Sequence, residues 1–202
     1  MNANSGSVGR FSKKLLAIST FVIIIAVLVV SWQLYWQPSS TKSNVTLPAL
    51  NLTLVGANTQ QKNLTASDMS SLRSYSSTGG YVDELGNVTF GNYTGVPMRT
   101  LLNLVGGINS NDNVTVKASD GYHVTFTYDQ IQGQNLNAYN ASTRSPTQPT
   151  EPLTMIVAYY CNHTALPSSK GPLTIAIVGP QGLYTPGRYW VYLLDEIQVI
   201  TG

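Results

Sequence analysis

Cysteine is almost missing from this chain: Cys161 is the single one in 202 residues. No intrachain disulfide can form and no Cys-x-x-Cys metal knuckle exists, so stability has to come from packing. Charge is scarce as well, at 10% of residues, against about a quarter in ordinary soluble domains. The small positive excess is local, because Arg10, Lys13 and Lys14 share one short N-terminal stretch and the remainder is near neutral. Without a basic stripe the chain lacks the electrostatic footprint of a nucleic-acid binder, and no nucleic-acid partner is expected. There is no Walker loop, no Gly-x-Gly-x-x-Gly after a strand and no Gly-x-Ser-x-Gly elbow, which removes the common nucleotide-binding and hydrolase readings.

What the chain does have begins with "LLAISTFVIIIAVLVVSWQLYW", residues 15–36, which contain no charge. As a helix rising 1.5 Å per residue this run would reach roughly 33 Å, enough to span a bilayer. Basic residues precede it, and Trp32, Tyr35 and Trp36 mark its far end like an interfacial belt, an order that keeps the N-terminus in the cytoplasm. The expected organisation is a cytoplasmic segment 1–14, a single-pass anchor 15–36, a polar stalk 37–48 and an extracellular domain 49–202. Two alternatives remain: a cleaved signal peptide with Val29 and Ser31 before the cut, and a pilin-like helix that packs in a filament after processing.

Beyond the apolar run, Asn-x-Ser/Thr triplets begin at Asn44, Asn51, Asn63, Asn87, Asn92, Asn113, Asn140 and Asn162. Composition alone would give about three, so these are read as glycosylation sites on an extracellular surface. Sugars would also explain how a surface so poor in charge stays in solution.

"LNLTLVG" (residues 50–56) alternates as a half-buried strand, and "TASDMSSLRSY" reads as a short helix capped by Ser67 or Asp68. "YVDELGNVTFGNYTG" predicts a hairpin turning at Asp83 to Asn87, with Val88 and Phe90 on one face. In "VPMRTLLNLVGG", Pro97 suits a first helical turn and Met98, Leu101, Leu102 and Val105 form one apolar stripe. "NVTVKASDGYHVTFTYDQI" predicts two strands about an Asp120-Gly121 turn, the second alternating Tyr122, Val124, Phe126 and Tyr128 against polar residues. Residues 133–152 read as an irregular, glycosylated flap, and "GPQGLYTPG" (179–187) as a turn. "LTMIVAYY" and "LTIAIVG" are apolar enough for central strands, with "YWVYLLDEIQVI" as the closing strand.

Chemistry-bearing residues are few. Cys161 and His163 flank the Asn162 acceptor, and a sugar between two ligands disfavours a closed metal site, so no metal is assigned. Asp120 and His123 share a hairpin with no nucleophile elbow, and His123 is read as a polar-face residue. The pairs Asp83-Glu84 and Asp195-Glu196 point to opposite faces of a strand and converge on nothing. No residue is assigned a catalytic role.

Five segments, in order, resemble the molybdopterin-binding domain of the sulfite oxidase superfamily across roughly residues 48 to 201. They are Leu50 to Gly56; Gly95-Val96-Pro97-Met98-Arg99 leading into Leu101-Leu102 and Gly106-Gly107; Ala118-Ser119-Asp120-Gly121-Tyr122; Gly171-Pro172-Leu173; and Val191 through Ile197-Gln198-Val199. The resemblance implies an α+β class: a β-rich mixed-sheet fold of the sulfite-oxidase type, preceded here by one transmembrane helix. Enzymatic members hold a molybdenum pterin in a groove, with one cysteine thiolate on the metal. That cysteine belongs to the segment before the Gly-Val-Pro helix, here residues 73–90, which contain none. Thr174 stands where many members have Arg, Tyr192 where many have Lys, and Glu196 where many have a basic residue, so the cofactor's anionic end would lose its cations.

The sequence therefore predicts a membrane-anchored, glycosylated extracellular domain, non-catalytic, without a cofactor, that binds a ligand or protein partner. Candidate ligand contacts are Tyr122, Tyr184, Arg188, Tyr189 and Trp190. The rival readings are a molybdopterin-dependent oxidoreductase subunit and a surface-layer or pilin-like filament component; homo-oligomerisation is left open.

Overall fold

The computed structural model describes residues 47–179 and 182–202. The expected cytoplasmic segment, the anchor 15–36, residues 37–46 of the stalk and Asn44 lie outside the described residues. Among the described residues no helix is long and apolar enough to cross a membrane. Leu47 is buried and already belongs to the core, ahead of the expected domain start at 49.

The domain is built on two sheets. In the first, β1 (Asn51–Val55), β2 (Gln61–Thr65), β5 (Asn113–Ala118), β6 (His123–Thr127) and β13 (Leu194–Ile200) lie in the order β2-β1-β13-β5-β6. The chain's opening and closing strands, β1 and β13, pair in parallel, and the other pairs are antiparallel. The alternation read in β1 places Leu52 and Leu54 at full burial. Each such side chain contributes roughly 2 kcal/mol relative to exposure. Polar residues of these strands take the other face, where Thr115 and Thr125 share a hydrogen bond of 2.9 Å and Lys117 reaches Glu196 at 2.6 Å.

The second sheet contains β3 (Tyr75–Val82), β4 (Val88–Pro97), β7 (Ala138–Asn140), β8 (Pro146–Thr147), β9 (Thr154–Cys161), β10 (Thr164–Ala165), β11 (Thr174–Val178) and β12 (Leu183–Pro186). Its order is β10-β9-β11-β3-β12-β7-β8, and β4 pairs with both β3 and β9, so that β9, β11, β3 and β4 close a ring. β11 is buried along its whole length, as its unbroken apolar run demands. The ring closes tightly at Gly95, where a Cβ would collide with the Val157 carbonyl and with Ala158, so no other residue fits.

Among the described residues three short helices accompany the sheets: α1 (Ala66–Ser71), α2 (Met98–Asn103) and α3 (Tyr128–Ile131). α2 buries Met98, Leu101 and Leu102 against β4 and β9, as its apolar stripe predicts.

Several local expectations are corrected. The cap of α1 is Thr65, in a capping box with Asp68, and neither Ser67 nor Asp68 serves as the N-cap. Pro97 is the N-cap of α2, one position before its first turn. Tyr122 precedes β6 and Tyr128 opens α3, where the reciprocal Thr127–Gln130 box stops the strand. Phe90 of the β3–β4 hairpin shares a face of β4 with Val88, as expected, but is itself exposed. Residues 133–152 contain the small β7–β8 pair, and 179–187 contain β12 followed by a 3-10 turn at Gly187–Tyr189. β13 begins only at Leu194, because Leu193 takes a positive φ of 51° that breaks the expected longer strand.

Candidate functional site

A group of aromatic and ionisable side chains lies where the ring of strands meets residues 190–192. β3 supplies Tyr81, β4 supplies Thr89 and Tyr93, β9 ends at Cys161, the β10–β11 connection carries Lys170, and Trp190 and Tyr192 follow the 3-10 turn. Trp190 is almost fully buried, with the ring of Tyr81 at 5.1 Å and that of Tyr93 at 5.0 Å. Its Nε1 donates to Thr185 Oγ1 at 2.9 Å, so the indole is both packed and satisfied.

Lys170 lies over this group. Its Nζ donates to Tyr81 Oη at 2.6 Å and stands 5.1 Å from the ring centroids of Tyr81 and Tyr192, a cation–π geometry. Burial opposes ionisation of Tyr81, but hydrogen bonds from Lys170, Tyr192 and Thr89 outweigh it and hold the phenol below its ordinary value of 10.0. Tyr192 is pushed the other way, by burial first and then by its hydrogen bond to Tyr81. Tyr93 is also pushed up, by burial and then by Cys161. Phenols shifted by burial and by specific hydrogen-bond partners mark a candidate ligand site.

Cys161 ends β9 as a half-buried free thiol. It lies over Gly91, where a Cβ would approach Sγ to 2.5 Å. His163 is exposed in the β9–β10 turn, whose two central residues have φ of 50° and 64°. Asn162 ties that turn to β4: its Oδ1 accepts from Asn92 N at 2.9 Å. Asp120 Oδ1 accepts from Tyr122 N at 3.0 Å, whereas His123 Nδ1 approaches Gly121 O at 3.4 Å. Asp83 takes two backbone N–H groups and the Asn87 amide, organising its own turn. Among the described residues no group of three His, Cys, Asp or Glu could hold a metal ion.

The five contacts expected from sequence are distributed over three places. Trp190 belongs to the Lys170 cluster. Tyr184 is buried, stacked on Tyr139 at 5.3 Å and edge-on to Phe90. Tyr122 Oη donates to Arg188 O at 2.9 Å, the exposed Arg188 guanidinium lies 5.3 Å from the Tyr189 ring, and Tyr189 is buried against Phe126. Sequence reading missed Tyr81, Tyr93 and Lys170, and singled out Tyr192 only as a departure from a motif. Nothing in linear spacing announces a cluster drawn from five separate segments.

Seven of the eight sequons are described. Asn51, Asn63, Asn87 and Asn162 are exposed, Asn92, Asn113 and Asn140 half-buried.

No family model matches the chain, and a search of curated protein sequences finds no match either. Among solved structures the chain is similar to the sulfane dehydrogenase SoxCD from Paracoccus pantotrophus, with a TM-score of 0.53 and 14% identity over 74% of this chain. The match spans 37% of that chain. At this identity the likeness concerns the fold alone, and there it agrees with the β-rich mixed-sheet architecture expected from sequence.

The residues present do not fit a molybdenum pterin. The segment 73–90 offers no thiolate. Thr174 is buried with its hydroxyl donated to Val191 O at 2.9 Å. Tyr192 is hydrogen-bonded to Tyr81, and Glu196 is paired with Lys117 at 2.6 Å. The positions at which the resemblance would look for cations thus hold neutral or acidic groups with partners of their own.

Proposed function

We propose that this protein is a membrane-anchored, N-glycosylated extracellular domain that uses a sulfite-oxidase-type scaffold to bind a ligand or a protein partner, without redox catalysis. The observation that carries this reading is the occupied state of Thr174, Tyr192 and Glu196 in a fold whose metal-binding segment has no cysteine. The Lys170 cluster is the binding site: an ammonium with two donors beyond its Tyr81 bond, beside an indole and three phenols, suits a compact anionic group with an apolar or planar body. The anchor and the sugars rest on the apolar run and the sequons.

Metal analysis of the full chain purified from native membranes tests the first point. Neither molybdenum nor tungsten is expected at a meaningful fraction of one per chain. Either metal at near one per chain, with substrate turnover, replaces this reading by the enzymatic one. Protease protection of sealed vesicles tests the orientation, with the C-terminal domain expected to be cleaved from outside.

A further inference from the structure

The two sequons of the β1–β2 hairpin face one another. Asn51 stands opposite Thr65 and Thr53 opposite Asn63, so each acceptor asparagine meets the threonine that completes the other's triplet. Leu52 and Leu64 between them are buried, and by the two-residue period of strands all four polar residues share the outer face. Thr53 Oγ1 donates to Asn63 Oδ1 at 3.3 Å. As diagonal neighbours, Asn51 and Asn63 stand roughly 7 Å apart.

Among the described residues β2 is also where this sheet ends. It is 5 residues long with only Leu64 buried, and a free edge of that length is a template for any extended chain. Folded proteins blunt such edges with charge, proline, bulges or extreme shortness. The second sheet uses shortness, since its terminal strands β8 and β10 have 2 residues each. β2 has none of these devices beyond Lys62: it lacks proline and pairs with β1 over its whole length without a bulge. What it has is a sequon at its centre and a second directly beside it. At the opposite end, Asn113 faces Thr127 of the terminal strand β6 across their pair, so a sequon also adjoins that edge.

We infer that the sugars on Asn51 and Asn63 are the edge guard of this sheet, and that they keep β2 from pairing with β2 of a second copy of the chain. A branched glycan is wider than the strand spacing of about 4.8 Å, so it occupies the space an added strand needs. In a chain with so few charges, sugar replaces lysine in this task. The inference rests on the glycosylated reading above.

The test uses the full chain, produced in a glycosylating host and held in detergent. Mass analysis of the peptides carrying Asn51 and Asn63 is expected to find sugar on at least one. Both bare would sink the glycosylated reading at this hairpin, and this inference with it. Particle mass by light scattering then compares variants with the wild type. N51Q/N63Q is expected at least to double the particle mass in a concentration-dependent way, whereas N87Q, which removes a sequon at a turn of the other sheet, leaves it unchanged. N51Q/N63K, with a lysine in place of the sugar, is expected to return to the wild-type value. If sugar is present and N51Q/N63Q keeps the wild-type mass, or if N51Q/N63K associates as strongly as N51Q/N63Q, the edge guard is refuted while the glycoprotein reading stands. Should N51Q/N63Q fail to fold by circular dichroism, endoglycosidase trimming of the wild type supplies the same comparison.

Discussion

Lys170 Nζ lies 2.6 Å from Tyr81 Oη, although the two residues are 89 positions apart. The contact joins the β10–β11 connection to the last residues of β3, and it is one of the hydrogen bonds that offset burial and hold the phenol below its ordinary value. Replacing Lys170 with Met removes both its hydrogen bond and its charge, so that only the bonds from Tyr192 and Thr89 oppose the effect of burial on the phenolate. The Tyr81 titration is expected to move upward. Carbon-13 NMR of tyrosine labelled at Cζ, followed against pH, reads this directly; an unmoved Tyr81 resonance would show that Lys170 does not control it.

Alkali should destabilise the fold through the same neighbourhood. Tyr93, Tyr159 and Tyr192 are pushed above their ordinary value, in each case by burial first. Their folded values exceed their unfolded ones, so their contribution is complete below about pH 10 and is lost as pH rises through the folded values. Tyr81 has the opposite sign: its contribution appears only as pH rises from its lowered folded value toward 10.0. Three groups outweigh one, so the urea midpoint is expected to be lower at pH 11 than at pH 8. Tyr192→Phe should shrink that difference, and an equal loss in the variant would assign the alkaline effect elsewhere.

Gly91 and Cys161 form a packed pair across β4 and β9. A methyl at position 91 would approach Cys161 Sγ to 2.5 Å and the Tyr93 ring to 3.1 Å. Gly91→Ala is therefore expected to cost about 1–3 kcal/mol, the usual penalty of overpacking. Cys161→Ala in the same chain removes the sulfur and should recover part of it, giving a coupling of at least about 0.5 kcal/mol in a double-mutant cycle of denaturant unfolding. Strict additivity would mean that the thiol is not what fills the space over Gly91.

The elements legible in the sequence are those whose local pattern has one solution. Leu52 and Leu54 can be buried together only by a strand, the Met98, Leu101 and Leu102 stripe only by a helix, and Asp120-Gly121 between alternating runs turns a hairpin as expected. β9 and β11 declare themselves through unbroken apolar runs. The strands β7, β8 and β12 do not, because each is held by its pairing with a distant partner and not by its own pattern. Thr65 was overlooked as a cap because it also ends β2, and a residue shared by two elements carries both signals at once. The Lys170 cluster was illegible for a related reason. Tyr81, Tyr93 and Tyr192 look like strand residues one by one, and only the closing of the β9-β11-β3-β4 ring brings them to Trp190.

That closing also makes Trp190 depend on one hydroxyl. The indole Nε1 donates to Thr185 Oγ1 at 2.9 Å, and both residues are buried. Thr185→Val keeps the shape of the side chain but removes the acceptor, leaving a buried N–H without a partner. A cost of about 1–3 kcal/mol is expected, seen as a lowered denaturant midpoint with an unchanged slope. Thr185→Ser, which retains the acceptor, should fall nearer the wild type than Thr185→Val does. If valine and serine are equally destabilising, the methyl of Thr185 matters and its hydroxyl does not. In that case Trp190 is held by the rings of Tyr81 and Tyr93 alone, and the proposed binding site built on it would be positioned by packing, not by hydrogen bonding.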